Sequence, residues 1–283
     1  MASRVEALYA DALAELKRRL NALDLFPVRN LDFSNEDHIL KFVTSLLAAG
    51  AYGNGCAILH LYRGDIGRQI PPIVRSQFEA VVKLTYCEYF PRKARDYVDS
   101  EPFERWMTAR GKNLRPELQA AISNDCLTVL RLRPNLIKDE KFRSEILAGK
   151  MPIPEKAYKR VAKTLAFDDL ASLMRAIDEK SPGWTTDLYA TVYRIGSLGI
   201  HQSVVYLRDA FSIGAGGEVR YCADQHYDGA PDYLLQSSNY MIGLAAKVAQ
   251  RFGGGPDDPG DPLRELYERQ QEIVRELKAG DLL

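Results

Sequence analysis

Pro71-Pro72-Ile73-Val74-Arg75-Ser76-Gln77-Phe78-Glu79-Ala80-Val81-Val82-Lys83-Leu84-Thr85-Tyr86-Cys87-Glu88-Tyr89 is the stretch on which the fold turns. Two prolines open it, where a helix tolerates them because first-turn N–H groups have no intrahelical partner. Behind them, apolar side chains run around most of the circumference. A helix of that composition is predicted at the centre of a bundle, not on its surface. Pro91 ends it.

Upstream, Val5, Leu8, Tyr9, Leu13, Leu16 and Leu20 follow helical spacing, and a connector runs from Phe26-Pro27 to Phe33. Ser34, with Asp37 three residues on, is the predicted cap of a second helix carrying Ile39, Leu40, Phe42, Val43, Leu46 and Leu47. That helix is predicted to continue through the small residues Ala48–Gly55 to Leu61, where glycine could either admit a close neighbour or kink the rod. Downstream, helices are predicted over 92–113 and 115–132, then a proline-punctuated surface excursion over 136–154. One helix is predicted over 155–179, a turn at Ser181-Pro182-Gly183, and a long helix from Thr185 or Thr186 to about Phe211. A glycine-rich stretch over 212–232 holds a short strand near 218–222, and helices follow over 233–252 and 262–278.

The fold class expected is therefore all-α, a multi-helix bundle with a short irregular or β-hairpin insertion near 212–232. Three segments are expected: an N-terminal helix and connector (1–33), a main helical domain (34–252), and a linker with a C-terminal helix (253–283).

Composition sets the limits of function. The 283 residues include 46% hydrophobic and 27% charged side chains, with 38 Lys/Arg against 38 Asp/Glu. That is an ordinary globular balance, and it gives no global field for a nucleic acid or a membrane. Charge is uneven along the chain, however. Residues 92–163 carry 17 basic and 10 acidic side chains, and 253–283 carry 8 acidic and 4 basic. A basic middle suits RNA, and an acidic tail could cover it; solvated helix faces are the alternative. Cys56, Cys87, Cys126 and Cys222 form no CxxC and read as buried free thiols. Residues 1–20 mix acids with bases without an apolar run, and no stretch has 18 uninterrupted apolar residues. The expectation is a cytoplasmic protein with no membrane span.

Two helical stripes carry the candidate chemistry. Arg75 and Glu79 stand at i, i+4, so they share one face, which Val82 and Tyr86 continue. Arg194, Ser197 and His201 also share one face across two turns. Histidine titrates near neutrality and could act as a general base, with Arg194 stabilising charge on a phosphate. Both stripes admit a structural reading as well, an ion pair fixing helix register and a hydrogen-bonded core histidine. His226 in the glycine-rich loop is a weaker candidate, and His38 and His60 read as surface residues. Gly50-Ala51-Tyr52-Gly53-Asn54-Gly55 lacks the order of a phosphate loop, and Gly196-Ser197-Leu198-Gly199 is not a nucleophile elbow. No HExxH or ExxH occurs, so no metal or other cofactor is expected.

Arg75-Ser76-Gln77-Phe78-Glu79 with the Tyr-Phe-Pro-Arg break after its helix, and Tyr193-x-x-x-Ser197-x-x-x-His201 downstream, resemble a bacterial domain-of-unknown-function family, number five-six-seven-seven. The resemblance covers about 34–252 and implies an all-helical fold without an established activity. Arg194, six residues and His201 are also similar to the Arg-x(4–6)-His signature of the HEPN helical ribonucleases. That similarity implies metal-independent RNA cleavage, commonly across a homodimer. Ile195 stands where those proteins place a polar residue after the arginine. The leading expectation is a HEPN-like protein whose cleft joins Arg75 and Glu79 to Arg194, Ser197 and His201, acting on RNA or another phosphate ester in defence or stress. The rival is a non-catalytic helical module that binds a protein partner and uses the same residues as a structural network.

Overall fold

The computed structural model describes residues 2–23, 35–109, 112, 115–167, 169–183, 211–213, 219–221, 229–253 and 261–279. They form an all-α protein with one two-stranded hairpin. The helices are α1 Ala2–Ala22, α2 Glu36–Arg63, α3 Ile70–Tyr89, α4 Pro91–Ala109, α5 Pro116–Leu132, α6 Glu140–Leu147, α7 Glu155–Leu165, α8 Leu170–Asp178, α9 Ala230–Phe252 and α10 Pro262–Ala279. Strands β1 Phe211–Ile213 and β2 Val219–Tyr221 pair antiparallel, Ser212 opposite Arg220.

Two compact units result, residues 1–89 with 170–283 and residues 90–169. This division differs from the segments 1–33, 34–252 and 253–283, because α1 and α10 pack on each other and on α9 within the first unit.

In the first unit, α3 packs against α2, α8 and α9. Its apolar circumference is the reason: Ile70, Val74, Phe78, Val82, Leu84 and Cys87 are all sealed from solvent. Burying a side chain such as Phe78 or Leu84 contributes roughly 1.5–3 kcal/mol, so one helix with that many contacts anchors the unit. α1 lays Val5, Leu8, Tyr9, Ala12 and Leu16 against α2 and α9 along one stripe. By length and hydropathy α2 could cross a bilayer. In this fold its buried face packs on α1, α3 and α9.

The N-cap of α2 is Asn35, whose side chain accepts the Asp37 N–H at 2.8 Å. Ser34, the cap expected from sequence, lies outside the described residues. The glycine patch admits a close neighbour at one point only. A Cβ on Gly55 would lie 2.7 Å from Leu13 Cδ1 and 3.3 Å from the Tyr9 hydroxyl, whereas Gly50 and Gly53 face open space.

In the second unit, Phe103, Cys126, Leu130, Ile146, Val161 and Leu165 form the heart of a separate core. The segment 136–154, expected as a surface excursion, takes part in that core. Leu136, Ile137, Ile146 and Ile153 are buried, and α6 lies between the prolines, capped by Asp139. The single helix expected over 155–179 is also corrected. It breaks after Leu165, where Ala166 turns to extended backbone (φ −52°, ψ 132°). Phe167 then sets its ring edge-on to Tyr97 at 5.1 Å, and the two halves belong to different units. A continuous helical pattern cannot reveal such a break, because both halves keep an apolar stripe. Helix 92–113 stops earlier, at Ala109, and Pro102 is accommodated inside it.

The long helix expected from Thr185 or Thr186 lies outside the described residues, except that Phe211, its predicted end, stands in β1. The strand expected near 218–222 is β2.

Candidate functional site

Arg75 and Glu79 meet as their spacing requires. Arg75 Nε donates to Glu79 Oε1 at 3.0 Å across one turn of α3. The two side chains are 14% and 30% exposed, so the arginine is mostly enclosed while the carboxylate keeps an open edge. Val82 and Tyr86 on the same stripe are buried. The pair therefore sits where a buried stripe comes to the surface. A carboxylate in that setting holds the guanidinium in one orientation. Arg194, Ser197, His201 and His226 lie outside the described residues.

The opposite side of α3 holds a polar network that sequence reasoning missed. Gln77 is fully buried, two residues and about 200° of helical rotation from Arg75. Its Nε2 donates to the Ala51 carbonyl of α2 at 3.1 Å, and its Oε1 accepts from the Ser237 hydroxyl of α9 at 2.5 Å. Ser237 Oγ lies 3.1 Å from the Tyr9 hydroxyl, which donates to the Gly55 carbonyl at 3.1 Å. Burial pushes the Tyr9 phenol up to about 12, although its contacts with Ser237 and Gln77 act in the other direction. One glutamine thus joins α2, α3 and α9, and Tyr9 adds α1. Its signal was legible in principle, since Gln77 is a lone amide among core positions of an apolar helix.

Two ion clusters complete the polar interior. Within the second unit, Asp99 is 3% exposed and accepts from Arg95 Nε at 2.5 Å and Arg133 Nη1 at 3.2 Å, while Arg133 also reaches Asp96 at 2.7 Å. Burial would lower the Arg133 value, but hydrogen bonds to Asp96 and Asp99 raise it overall. In the first unit, Glu15 binds Arg18 and Arg19, and Arg19 continues to Asp261.

Of the cysteines, Cys87 and Cys126 are buried free thiols, each pushed up to about 12 by burial. Cys56 is exposed, against expectation, because it falls on the solvent side of α2; Cys222 is outside the described residues. Among the described residues no group of three His, Cys, Asp or Glu side chains is placed to hold a metal ion.

An all-α protein with a half-buried Arg–Glu pair on its central helix is the class these observations define. A model of a family of unknown function, DUF5677, matches residues 41–217, more than half of the chain, and the protein belongs to that family. No curated protein and no solved structure matches it.

Proposed function

We propose that the protein is a HEPN-like, metal-independent ribonuclease of the bacterial cytoplasm, acting as a homodimer in defence or stress. The observation that carries this reading is the Arg75–Glu79 pair, held at 3.0 Å with its carboxylate edge open, on the helix that anchors the core. It falls within the same family-matched segment as Arg194, Ser197 and His201. In the proposed reaction His201 takes the proton of a ribose 2′-hydroxyl, whose oxygen attacks the adjacent phosphorus. The P–O5′ bond breaks, the leaving oxygen takes up a proton, and a 2′,3′-cyclic phosphate remains. Arg194 or Arg75 stabilises charge on the phosphoryl oxygens, and Glu79 orients the arginine or the histidine. The excess of basic side chains over 92–163 adds attraction for the RNA backbone.

The test is incubation of the purified chain with end-labelled RNA in EDTA, beside His201→Ala and Arg194→Ala. The expected outcome is cleavage to cyclic-phosphate ends by the natural chain and a loss of about 10²-fold or more in either variant. Equal cleavage by all three proteins, or none by any, would sink it.

A second reading, a non-catalytic module that binds a protein partner, is favoured by the Tyr9–Ser237–Gln77 network. This bundle already uses buried polar side chains to fix helix register, and the Arg75–Glu79 pair could serve the same end. An inert natural chain that retains a protein partner is its expected outcome.

A further inference from the structure

Within the unit of residues 90–169, a pocket of about 320 Å³ opens beside α6 and the first turns of α7. Its floor is core: Leu136 and Ile137 are 7% exposed and Val161 1%. Half-buried Phe142, Pro154 and Ala157 complete apolar walls. The charged lining residues are all exposed: Lys138, Lys156, Arg160 and Asp139. Asp139 caps α6, its Oδ1 accepting the Phe142 N–H at 3.0 Å, and its charge leaves three cations against one carboxylate at the mouth. Among the described residues, Lys138, Lys156 and Arg160 hold no carboxylate. Elsewhere in the same unit Arg95, Arg105, Arg133, Arg143 and Lys159 each do.

We propose that this pocket binds a small amphipathic anion, with an aliphatic body in the cavity and one carboxylate or phosphate head at its mouth. The chemistry argues from both ends. Apolar walls offer nothing to a fully hydrated inorganic ion, which would lose its water without compensation. Three exposed cations against one carboxylate favour a chain that ends in negative charge over a neutral one. The cavity stands at the lower end of the range for small-ligand sites, about 300–1,000 Å³, which suits a medium-length chain.

The experiment is calorimetric titration of the full chain with hexanoate, octanoate and decanoate, and separately with decyl phosphate, decanol and inorganic phosphate. Single-site saturation by decanoate is expected, with affinity rising up to about fourfold per added methylene. Decyl phosphate should compete for the same site, and decanol and inorganic phosphate should each bind at least tenfold more weakly. The triple variant Lys138→Gln, Lys156→Gln, Arg160→Gln changes only exposed side chains and should lose tenfold or more. Ala157→Leu, which fills the cavity, should do the same, and circular dichroism checks that both variants remain helical. The proposal is overturned if decanoate does not saturate, if chain length has no effect, or if both variants bind decanoate as the natural chain does.

Discussion

Arg19 of α1 and Asp261, the residue before α10, are joined through both carboxylate oxygens at 2.7 and 2.6 Å, across 242 positions of sequence. The contact lies in a cluster. Arg19 Nε donates to Glu15 at 2.7 Å, and Asp261 accepts the Leu263 N–H at 2.8 Å as α10 begins. Glu15 and Asp261 are each 7% exposed and Arg19 is 12% exposed. Burial alone would raise both carboxyl groups, but hydrogen bonds and charge from the arginines (and, for Asp261, from Leu263 N–H) leave both below their ordinary values. A depressed carboxyl stabilises the fold above its unfolded value, near pH 4, and loses that contribution as pH falls through the lower folded value. Arg19→Met should cost about 2–4 kcal/mol at pH 7, with a difference from the natural chain that shrinks as pH falls below about 4. Urea midpoints measured across that range check it.

Gly55 and Gly50 should respond to the same substitution with opposite sign. A methyl group on Gly55 would press on Leu13 and Tyr9, and Gly55→Ala should cost about 1–3 kcal/mol. Gly50 stands in the same helix with nothing near it, and Gly50→Ala should stabilise by about 0.5–1 kcal/mol through helix propensity alone. Thermal unfolding of the two variants measures the difference.

Ser237→Ala would leave Gln77 Oε1 buried without its donor. The expected loss is about 1–3 kcal/mol in urea unfolding. Ser238→Ala in the next position should cost less. That hydroxyl only back-bonds to the Leu234 carbonyl at 2.8 Å within its own helix.

Arg133→Ala should loosen the second unit. Asp99 would keep Arg95 but lose one of its two cations, at a cost of about 1–3 kcal/mol. Faster hydrogen exchange in the amides of α4 and α5 is the expected signature.

Arg75→Ala and Glu79→Gln separate the two proposed functions. Glu79 is 30% exposed and its pair with Arg75 is made within one helix, so Glu79→Gln should alter stability by no more than about 1 kcal/mol. Under the nuclease reading RNA cleavage falls tenfold or more in both variants. Unchanged cleavage would assign the pair to structure alone.

Periodicity exposed most of the helices. α1, α3 and α9 stand close to their predicted spans because each repeats apolar residues every three or four positions, and that repeat is a local property of the chain. The break between α7 and α8 was invisible for the same reason, since an unbroken apolar stripe records which side is buried and not which core buries it. The Arg75–Glu79 pair was legible because i, i+4 partners meet wherever a helix forms.

What the sequence alone determined is therefore the helical alphabet of this protein: central α3, the outer amphipathic helices, and the ion pair written within one turn. Only the tertiary structure decided that residues 90–169 form a core of their own. It alone decided that Gly55 rather than Gly50 or Gly53 is the contact glycine, and that Gln77 meets Ser237 across 160 positions. Local spacing acts over one or two turns of backbone. Such long-range partnerships are chosen by how whole helix faces pack, and no short stretch of residues encodes that choice.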